Sequence, residues 1–388
     1  MSDIKDRRLL AIAGAWGYIG HKFIEAGLKL GHDVYVYDPG PIPEDVDVKA
    51  ITRIDSEREF YALNADLFHL ALHPEHRKAA LDQLLPRAAD QNLMILDEKP
   101  MAAPEHPEAC SELVDAVAAS DAELLFDFPE LFDPITERIF AYLDSFEDVE
   151  VSHVRIQRSK DREDKDNPRN AKKMVPIQYQ ESVHCIAFLL NLVVRQAGSI
   201  ELGLAAGVEL RATSDPYDAP NPEVYPYVVD GRCDFDMRIG TVDVIGHTDF
   251  KRGAPWRKER IIRGTGDGEA FEIQVDYLEG AKYLIINGED QRCPPWGDSY
   301  TAVLDGMHRL KSDVPTDKLM SGVYPNPIFA RYAYQLSSAT WRASYDGEKI
   351  TFENADELSR FDARFDEEVP KFPSPLRWIL GGALTVLS

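Results

Sequence analysis

Short runs of consecutive apolar residues alternate with amphipathic stretches through the first third of the chain. Leu9-Leu10-Ala11-Ile12-Ala13 is such a run; a helical pattern then extends to about Leu30, where Gly31 stops it. Val34-Tyr35-Val36-Tyr37 is a second run, ended by Asp38 and Pro39-Gly40. Leu67 to Leu72 is a third, and a helical pattern follows from about His76 to Leu85. Leu93-Met94-Ile95-Leu96 delivers Asp97-Glu98-Lys99-Pro100 into a loop, a helix is expected from Pro107 to about Ala119, and Glu123 to Phe128 reads as another strand. Uninterrupted apolar runs bounded by turn residues are what strands buried on both faces require. Their alternation with helices predicts α/β architecture, a Rossmann-type doubly wound parallel sheet.

After Phe132-Asp133-Pro134 the pattern changes. A helix over Ile135–Leu143 precedes Val149–Arg158, which alternates as a half-buried strand does, and residues 159–173 are dense in charge and read as an exposed loop. An apolar helix is expected from about Tyr179 to Val194. Further β-type segments are Ile200–Leu204, Val208–Ala212, Asp234–Ile245, Glu259–Arg263, Phe271–Tyr277 and Lys282–Ile286, with a late helix over roughly Asn326–Ala343. This predicts a C-terminal α+β domain with a large, mostly antiparallel sheet. The expected division is 1–128, a dinucleotide-binding domain; 129–352, a substrate and oligomerisation domain; and 353–388, a C-terminal extension, acidic and then proline-rich.

Composition narrows the partners. The formal net charge is −24 over 388 residues, which argues against a nucleic-acid groove and against an anionic membrane surface. Cys110, Cys185, Cys233 and Cys293 lie far apart without CxxC spacing, as in a reduced compartment, and the expected location is cytoplasmic. Arg7-Arg8 before an apolar run has the look of an export signal, but the run leads straight into a glycine motif with no cleavage site. The run from Trp378 to Leu387 is too short to span a bilayer and is expected to cap the fold or cover another subunit. An open second-domain sheet must cover its second face, so a homo-oligomer, dimer or tetramer, is expected.

The chemistry begins at Gly14-Ala15-Trp16-Gly17-Tyr18-Ile19-Gly20, between the first strand and the first helix. Glycines there permit a tight turn and close approach of a pyrophosphate to the helix N-terminus. Aligned on Gly20, the run reads A-x-G-x-x-G, with Ala15 in the first place of the usual GxGxxG. Asp38 ends the second strand, 18 residues past Gly20, where a carboxylate accepts from the adenosine ribose hydroxyls and repels a 2′-phosphate. That favours NAD over NADP. The alternative is that Asp38 merely starts the Asp-Pro-Gly turn.

Glu98-Lys99-Pro100, followed by Met101-Ala102-Ala103 and a helix, resembles the EKP motif of the Gfo/Idh/MocA oxidoreductases. Leu70-Ala71-Leu72-His73-Pro74 is similar to that family's strand ending in Thr-Pro, Phe132-Asp133-Pro134 to its passage into the second domain, and Ile261 to Gly268 to its Gly-Thr-x-Gly turn. Ala339 to Gly347 with the strand Lys349–Phe352 resembles its last helix and strand. The resemblance covers most of the first 350 residues or so. It implies hydride transfer between a nicotinamide cofactor and a secondary alcohol or ketone of a sugar, amino sugar or cyclitol. It also implies a cofactor site from Gly14 to Ile19 with Asp38, Leu72, His73, Pro74, Glu98 and Lys99. Lys99 matches the family's lysine beside the substrate oxygen, and His184 matches a helical histidine that acts as general acid and base. Where the family has Asp four residues before that histidine, this chain has Gln180, with Glu181 beside it. Either Glu181 orients His184 from three residues away, or Gln180 contacts substrate. Glu130-Leu131 stand where the family often has Arg. A variant chemistry within the class retains and recycles NAD.

Blander readings compete at each position. Without the resemblance His184 reads as a core histidine, and Arg158 as an exposed arginine rather than a substrate contact. His69, His73 and His76 have helical spacing, but the first two fall on a strand and its end, so no metal site is expected. The rival to an enzyme is a non-catalytic relative, a ligand sensor or partner-binding protein that kept the fold.

Overall fold

The computed structural model describes residues 8–365 apart from 45, 92, 168, 169, 171, 226, 279, 280 and 292–297. Cys293 and the run Trp378–Leu387 therefore lie outside the described residues. The chain forms two compact units.

The first unit opens with β1 (Leu9–Ala13), α1 (Tyr18–Lys29), β2 (Asp33–Tyr37), β3 (Thr52–Arg53), α2 (Glu57–Tyr61), β4 (Leu67–Leu70), α3 (Pro74–Leu84), β5 (Met94–Glu98), α4 (Glu108–Ala118), β6 (Glu123–Asp127) and α5 (Pro129–Phe132). Its six strands run in the order β3-β2-β1-β4-β5-β6. All pairings are parallel, with Ala13 opposite Tyr37 on one side and Leu70 on the other. β4, β5 and β6 are buried at every position, which accounts for their uninterrupted apolar runs and makes the polar residues at their carboxyl ends conspicuous. The order reverses between β1 and β4, the switch point at which open α/β sheets bind ligands.

The second unit starts with α6 (Pro134–Leu143) and β7 (Val149–Ser159). A π-helical turn over Gln178–Ser182 runs into α7 (Val183–Ala197) and α8 (Ile200–Gly203). Then come β8 (Val208–Pro216), β9 (Asp230–Ile239), β10 (Val242–Asp249), β11 (Arg257–Gly266), β12 (Glu269–Leu278), β13 (Ala281–Ile286) and β14 (Glu289–Asp290). The chain next adds α9 (Ser299–Asp313) and α10 (Thr316–Leu319) to the first unit. It ends with α11 (Pro327–Asp346), which begins in the first unit, and with β15 (Ile350–Phe352) and α12 (Ala355–Ser359) of the second. The second sheet has nine strands in the order β14-β13-β12-β11-β7-β10-β9-β8-β15. Among the described residues of this sheet, only β7 and β10 pair in parallel. Two of its hairpins close on Asp267-Gly268 and Asn287-Gly288, both residues of each with positive φ, as a two-residue type I′ loop demands.

Several expectations need correction. Ile200–Leu204 is helical rather than extended: Ser199 caps it, its Oγ accepting from Leu202 N at 3.2 Å. The stretch Asp234–Ile245 is two strands, because Gly240 takes a positive φ and turns the chain. The segment 298–331 does not join the second unit. Val303, Leu304 and Met307 of α9 bury into the core formed by β1, β2 and α1, and Gly306 lets the helix approach Phe132. Nor does residue 352 end the second unit's core. Phe365 packs edge-on against Tyr227 and at a tilt against Trp341, ring centroids 4.9 and 4.6 Å away, so the first part of the extension is built into that unit.

Candidate functional site

In the first unit the glycine loop is shaped by backbone collisions. Gly14 has φ +75, and a Cβ there would run into the carbonyl of Ala71 and lie 3.1 Å from Leu72 Cδ2. A Cβ on Gly20 would meet the Cα of Ala15 at 2.8 Å. Gly17 is the N-cap of α1, and its nearest neighbour would be Gly14 O at 3.3 Å. The demanding first position is therefore Gly14, not Ala15, whose small side chain is buried. The spacing is G-x-x-G-x-x-G, one residue longer than the alignment on Ala15 assumes. No side chain caps α1 and no acid stands in its first turn, so its free N–H groups are open to an anion. Leu72, His73 and Pro74 leave β4 beside this loop; His73 is the N-cap of α3 with Pro74 in its first turn. Tyr18 and Ile19 start α1, Tyr18 with 38% of its surface exposed.

Asp38 holds that loop in place. One carboxylate oxygen accepts from Trp16 N at 3.0 Å and the other from Gly40 N at 2.8 Å. The turn-forming role is thus realised, and each oxygen keeps a lone pair for a further donor.

At the carboxyl ends of β4, β5 and β6 lies a buried polar cluster. His69 Nε2 is 3.0 Å from Glu98 Oε1, and the Glu98 side chain is hydrogen-bonded to Asp127. Burial pushes Glu98 up to about 7 and Asp127 well above the usual carboxylate range, and it pushes His69 down to about 4. Arg77 of α3 pairs with the buried Asp97 at 3.3 Å and donates to the carbonyls of Leu72 at 3.1 Å and Pro100 at 2.5 Å. It thereby fastens the Lys99-Pro100 segment to the start of α3. His73 and His76 are exposed near Glu75, away from the buried His69.

In the second unit, Gln180 and Glu181 belong to the π turn and His184 to the first turn of α7. His184 is buried, 4% exposed, on a helix whose residues Val183–Val194 are all buried. Both Glu181 oxygens accept from cations, one from Arg158 and one from Lys160. Arg158 is therefore not the exposed arginine expected from its place near a polar loop. Glu181 stands on the π turn, three positions before His184. Gln180 Nε2 lies 3.4 Å from Met174 Sδ. Burial pushes Lys160 down to about 7, against the raising effect of Glu181.

Four features escaped the sequence reading: Arg77, Asp127, Lys160 and the π turn. Asp127 had a usable signal, since it is a charged residue ending a strand that is otherwise buried. Arg77 and Lys160 sit among ordinary surface charges in sequence and carry no local mark.

No protein-family profile matches the chain, and no curated protein matches it by sequence. Solved structures do. The myo-inositol dehydrogenase of Corynebacterium glutamicum is similar with a TM-score of 0.61 and 16% identity, over 90% of this chain and 100% of that one. UDP-N-acetylglucosamine 3-dehydrogenase GnnA of Acidithiobacillus ferrooxidans gives 0.63 and 12%, over 87% and 98%. The fold is of the Gfo/Idh/MocA type. The Gfo/Idh/MocA fold also holds a super-repressor mutant of Gal80p from Saccharomyces cerevisiae, with a TM-score of 0.64 and 11% identity over 92% of this chain and 100% of that one. The transcriptional regulator Gal80p of Kluyveromyces lactis is similar as well, with a TM-score of 0.60 and 13% identity over 91% of this chain and 95% of that one, so the fold by itself does not decide between enzyme and regulator.

Proposed function

We propose that the protein is an oxidoreductase that uses NAD, rather than NADP, to move a hydride to or from a secondary alcohol or ketone of a sugar or cyclitol. The observation that carries this reading is the grouping, at the carboxyl edge of one parallel sheet, of an uncapped helix N-terminus behind a collision-shaped glycine loop and the Glu98-Lys99 strand end. These residues fit a dinucleotide: the N–H groups of α1 take the pyrophosphate, and Asp38 has lone pairs for the ribose hydroxyls. The nicotinamide accepts or supplies the hydride when bound. Lys99 stabilises negative charge on the substrate oxygen, and His184 takes or returns its proton. Gln180 contacts substrate. Because Glu181 is held by Arg158 and Lys160, it has no charge to spare for an ammonium group, which argues against the amino sugar among the expected substrates.

The test is direct. Purified protein is titrated with NAD, NADH and NADP by fluorescence and calorimetry, then assayed for NADH formation with neutral sugars, cyclitols and hexuronates. NAD binding with turnover of a panel member is expected. Tighter NADP binding would remove the Asp38 assignment. NAD binding with no turnover on any panel favours the second reading, a ligand sensor or partner-binding protein, which Gal80p's shared fold supports. We also propose a homo-oligomer that covers the open face of the second sheet, where Ile245 and Tyr283 are 49% and 42% exposed. Sedimentation at micromolar concentration tests it, a monomer being the adverse result.

A further inference from the structure

His69, Glu98 and Asp127 stand on adjacent strands and are buried, at 0%, 6% and 2% exposure. A hydrogen bond between two carboxyl groups requires a proton on one of them. The remaining atoms say which. Asp127 Oδ1 is buried without a hydrogen-bond partner, and so is His69 Nδ1. An ionised Asp127 would leave half of its charge unpaired in a buried site, the most expensive way to bury it. Glu98 instead receives His69 on Oε1 and Asp127 beside it, and the positive charges of Lys99 and Arg77 both favour its ionised form. His69 then donates from Nε2 and leaves Nδ1 as a bare lone pair.

Other charged and titratable groups face the cluster from every element packed on it. Asp97 is already paired with Arg77. Glu130 of α5 adds negative potential at Asp127, which further favours a proton there. The hydroxyls of Tyr18 on α1 and Tyr300 on α9 are hydrogen-bonded to each other, and burial raises Tyr300.

We infer that Asp127 and His69 are positioning residues: they act as neutral donors that keep Glu98 ionised, and Glu98 in turn keeps Lys99 protonated and held as the fixed cation of the hydride site. The inference rests on the role given to Lys99 above. Its chemistry is local, so it is testable without substrate. The apparent pKa of the Lys99 amine is read by competitive labelling of the full-length protein with acetic anhydride across a pH series, followed by peptide mass spectrometry. Asn at 127 still donates to Glu98 and carries no charge, so Asp127→Asn should leave the Lys99 pKa unchanged. Glu98→Gln, and Asp127→Leu if it folds, should lower it by about 1 unit or more, since a neutral neighbour no longer favours the ammonium. A fall in Asp127→Asn as large as in Glu98→Gln would place the charge on Asp127 and overturn the proposal. No change in any variant would overturn it too, by detaching Lys99 from the cluster. The two isosteric variants decide even if Asp127→Leu does not fold. Failure to find a substrate would count against the proposed function without touching this result.

Discussion

Glu98 in the first unit and Glu181 in the second are both buried carboxylates, and their partners differ in kind. Glu98 ends a strand that is buried on both faces and meets an imidazole and a second carboxyl group, with Lys99 next in the chain. Its pKa rises to about 7, because burial outweighs the opposing pull of Lys99 and Arg77. Glu181 sits on a π turn and takes one cation on each oxygen, Arg158 from the end of β7 and Lys160 just after it. There the perturbed group is the cation: Lys160 falls to about 7. The first arrangement holds its carboxylate close to Lys99 with neutral partners. The second commits its charge to local structure. This contrast makes Glu98, more than Glu181, the carboxylate able to influence chemistry.

The largest expected effects fall on turnover, once a substrate is in hand. Lys99→Ala should abolish most activity while NAD affinity, read by NADH fluorescence, stays nearly intact. His184→Ala should reduce kcat by about 10²–10⁴-fold and remove one limb of the pH–rate profile. Full activity in both variants would leave only the nucleotide-binding reading. The next effect tests the contrast itself. Glu181→Gln leaves Arg158 and Lys160 without their anion, and breaking a buried pair from one side costs about 3–5 kcal/mol. Glu98→Gln keeps an acceptor for His69 and should cost about 1 kcal/mol or less in urea unfolding. Equal losses would erase the distinction. The Glu181→Gln deficit should also depend on pH. Lys160 has a depressed folded-state value, so its contribution is present at high pH and is lost as pH falls through about 7. Removing Glu181 depresses it further, so the deficit should be larger at pH 6 than at pH 8.

Much of the first unit was legible because strands buried on both faces write unbroken apolar runs, and because glycine and Glu-Lys-Pro mark the loops between them. The second sheet was legible where alternation was clean, in β8 and β12. Ile200–Leu204 failed because a short apolar run does not distinguish strand from helix. Asp234–Ile245 failed because a glycine turn inside it looked like one more strand residue. α9 escaped because Val303, Leu304 and Met307 are its few core residues among many polar ones. The site suffered differently. Lys99 and His184 were assigned by motif, but Glu181, paired with Arg158 and Lys160, falls on a π turn, and nothing in Gln178-Tyr179-Gln180-Glu181-Ser182 announces i→i+5 bonding. Asp127 and Arg77 act through neighbours remote in sequence, which periodicity does not report.

A smaller effect separates the glycines that shape the first unit's loop. At Gly14 and Gly20 an added Cβ meets backbone that has no room to move, and Gly14 also needs its positive φ. Alanine at either should destabilise by roughly 2–4 kcal/mol, the range of strained or overpacked sites, and weaken NADH binding. At Gly17 the nearest atom would be 3.3 Å away, so Gly17→Ala should cost about 1 kcal/mol or less. Chemical denaturation of the three variants decides this, and a Gly17 loss as large as the others would mean that the loop is not shaped as described.

The smallest expected effect concerns a third way of holding a carboxylate. Asp38 is held neither by neutral side chains nor by cations but by two backbone N–H groups, those of Trp16 and Gly40. A substitution there therefore acts on two things at once, the loop and the ribose. Asp38→Ser loses at least one of the two loop bonds and the negative charge. NAD binding should weaken by about tenfold, the worth of one to two hydrogen bonds, while NADP binding changes less because the repulsion of its 2′-phosphate is gone. Asp38→Asn separates the two roles. The amide is isosteric and keeps one acceptor for the loop, so stability to urea should fall by only about 1 kcal/mol, yet the charge that excludes a 2′-phosphate is absent. If Asp38 reads the ribose, the ratio of NADP to NAD affinity should rise in Asp38→Asn about as much as in Asp38→Ser. If Asp38 only ties the glycine loop to its turn, both cofactors should weaken together in Asp38→Ser and recover together in Asp38→Asn, with their ratio unchanged throughout.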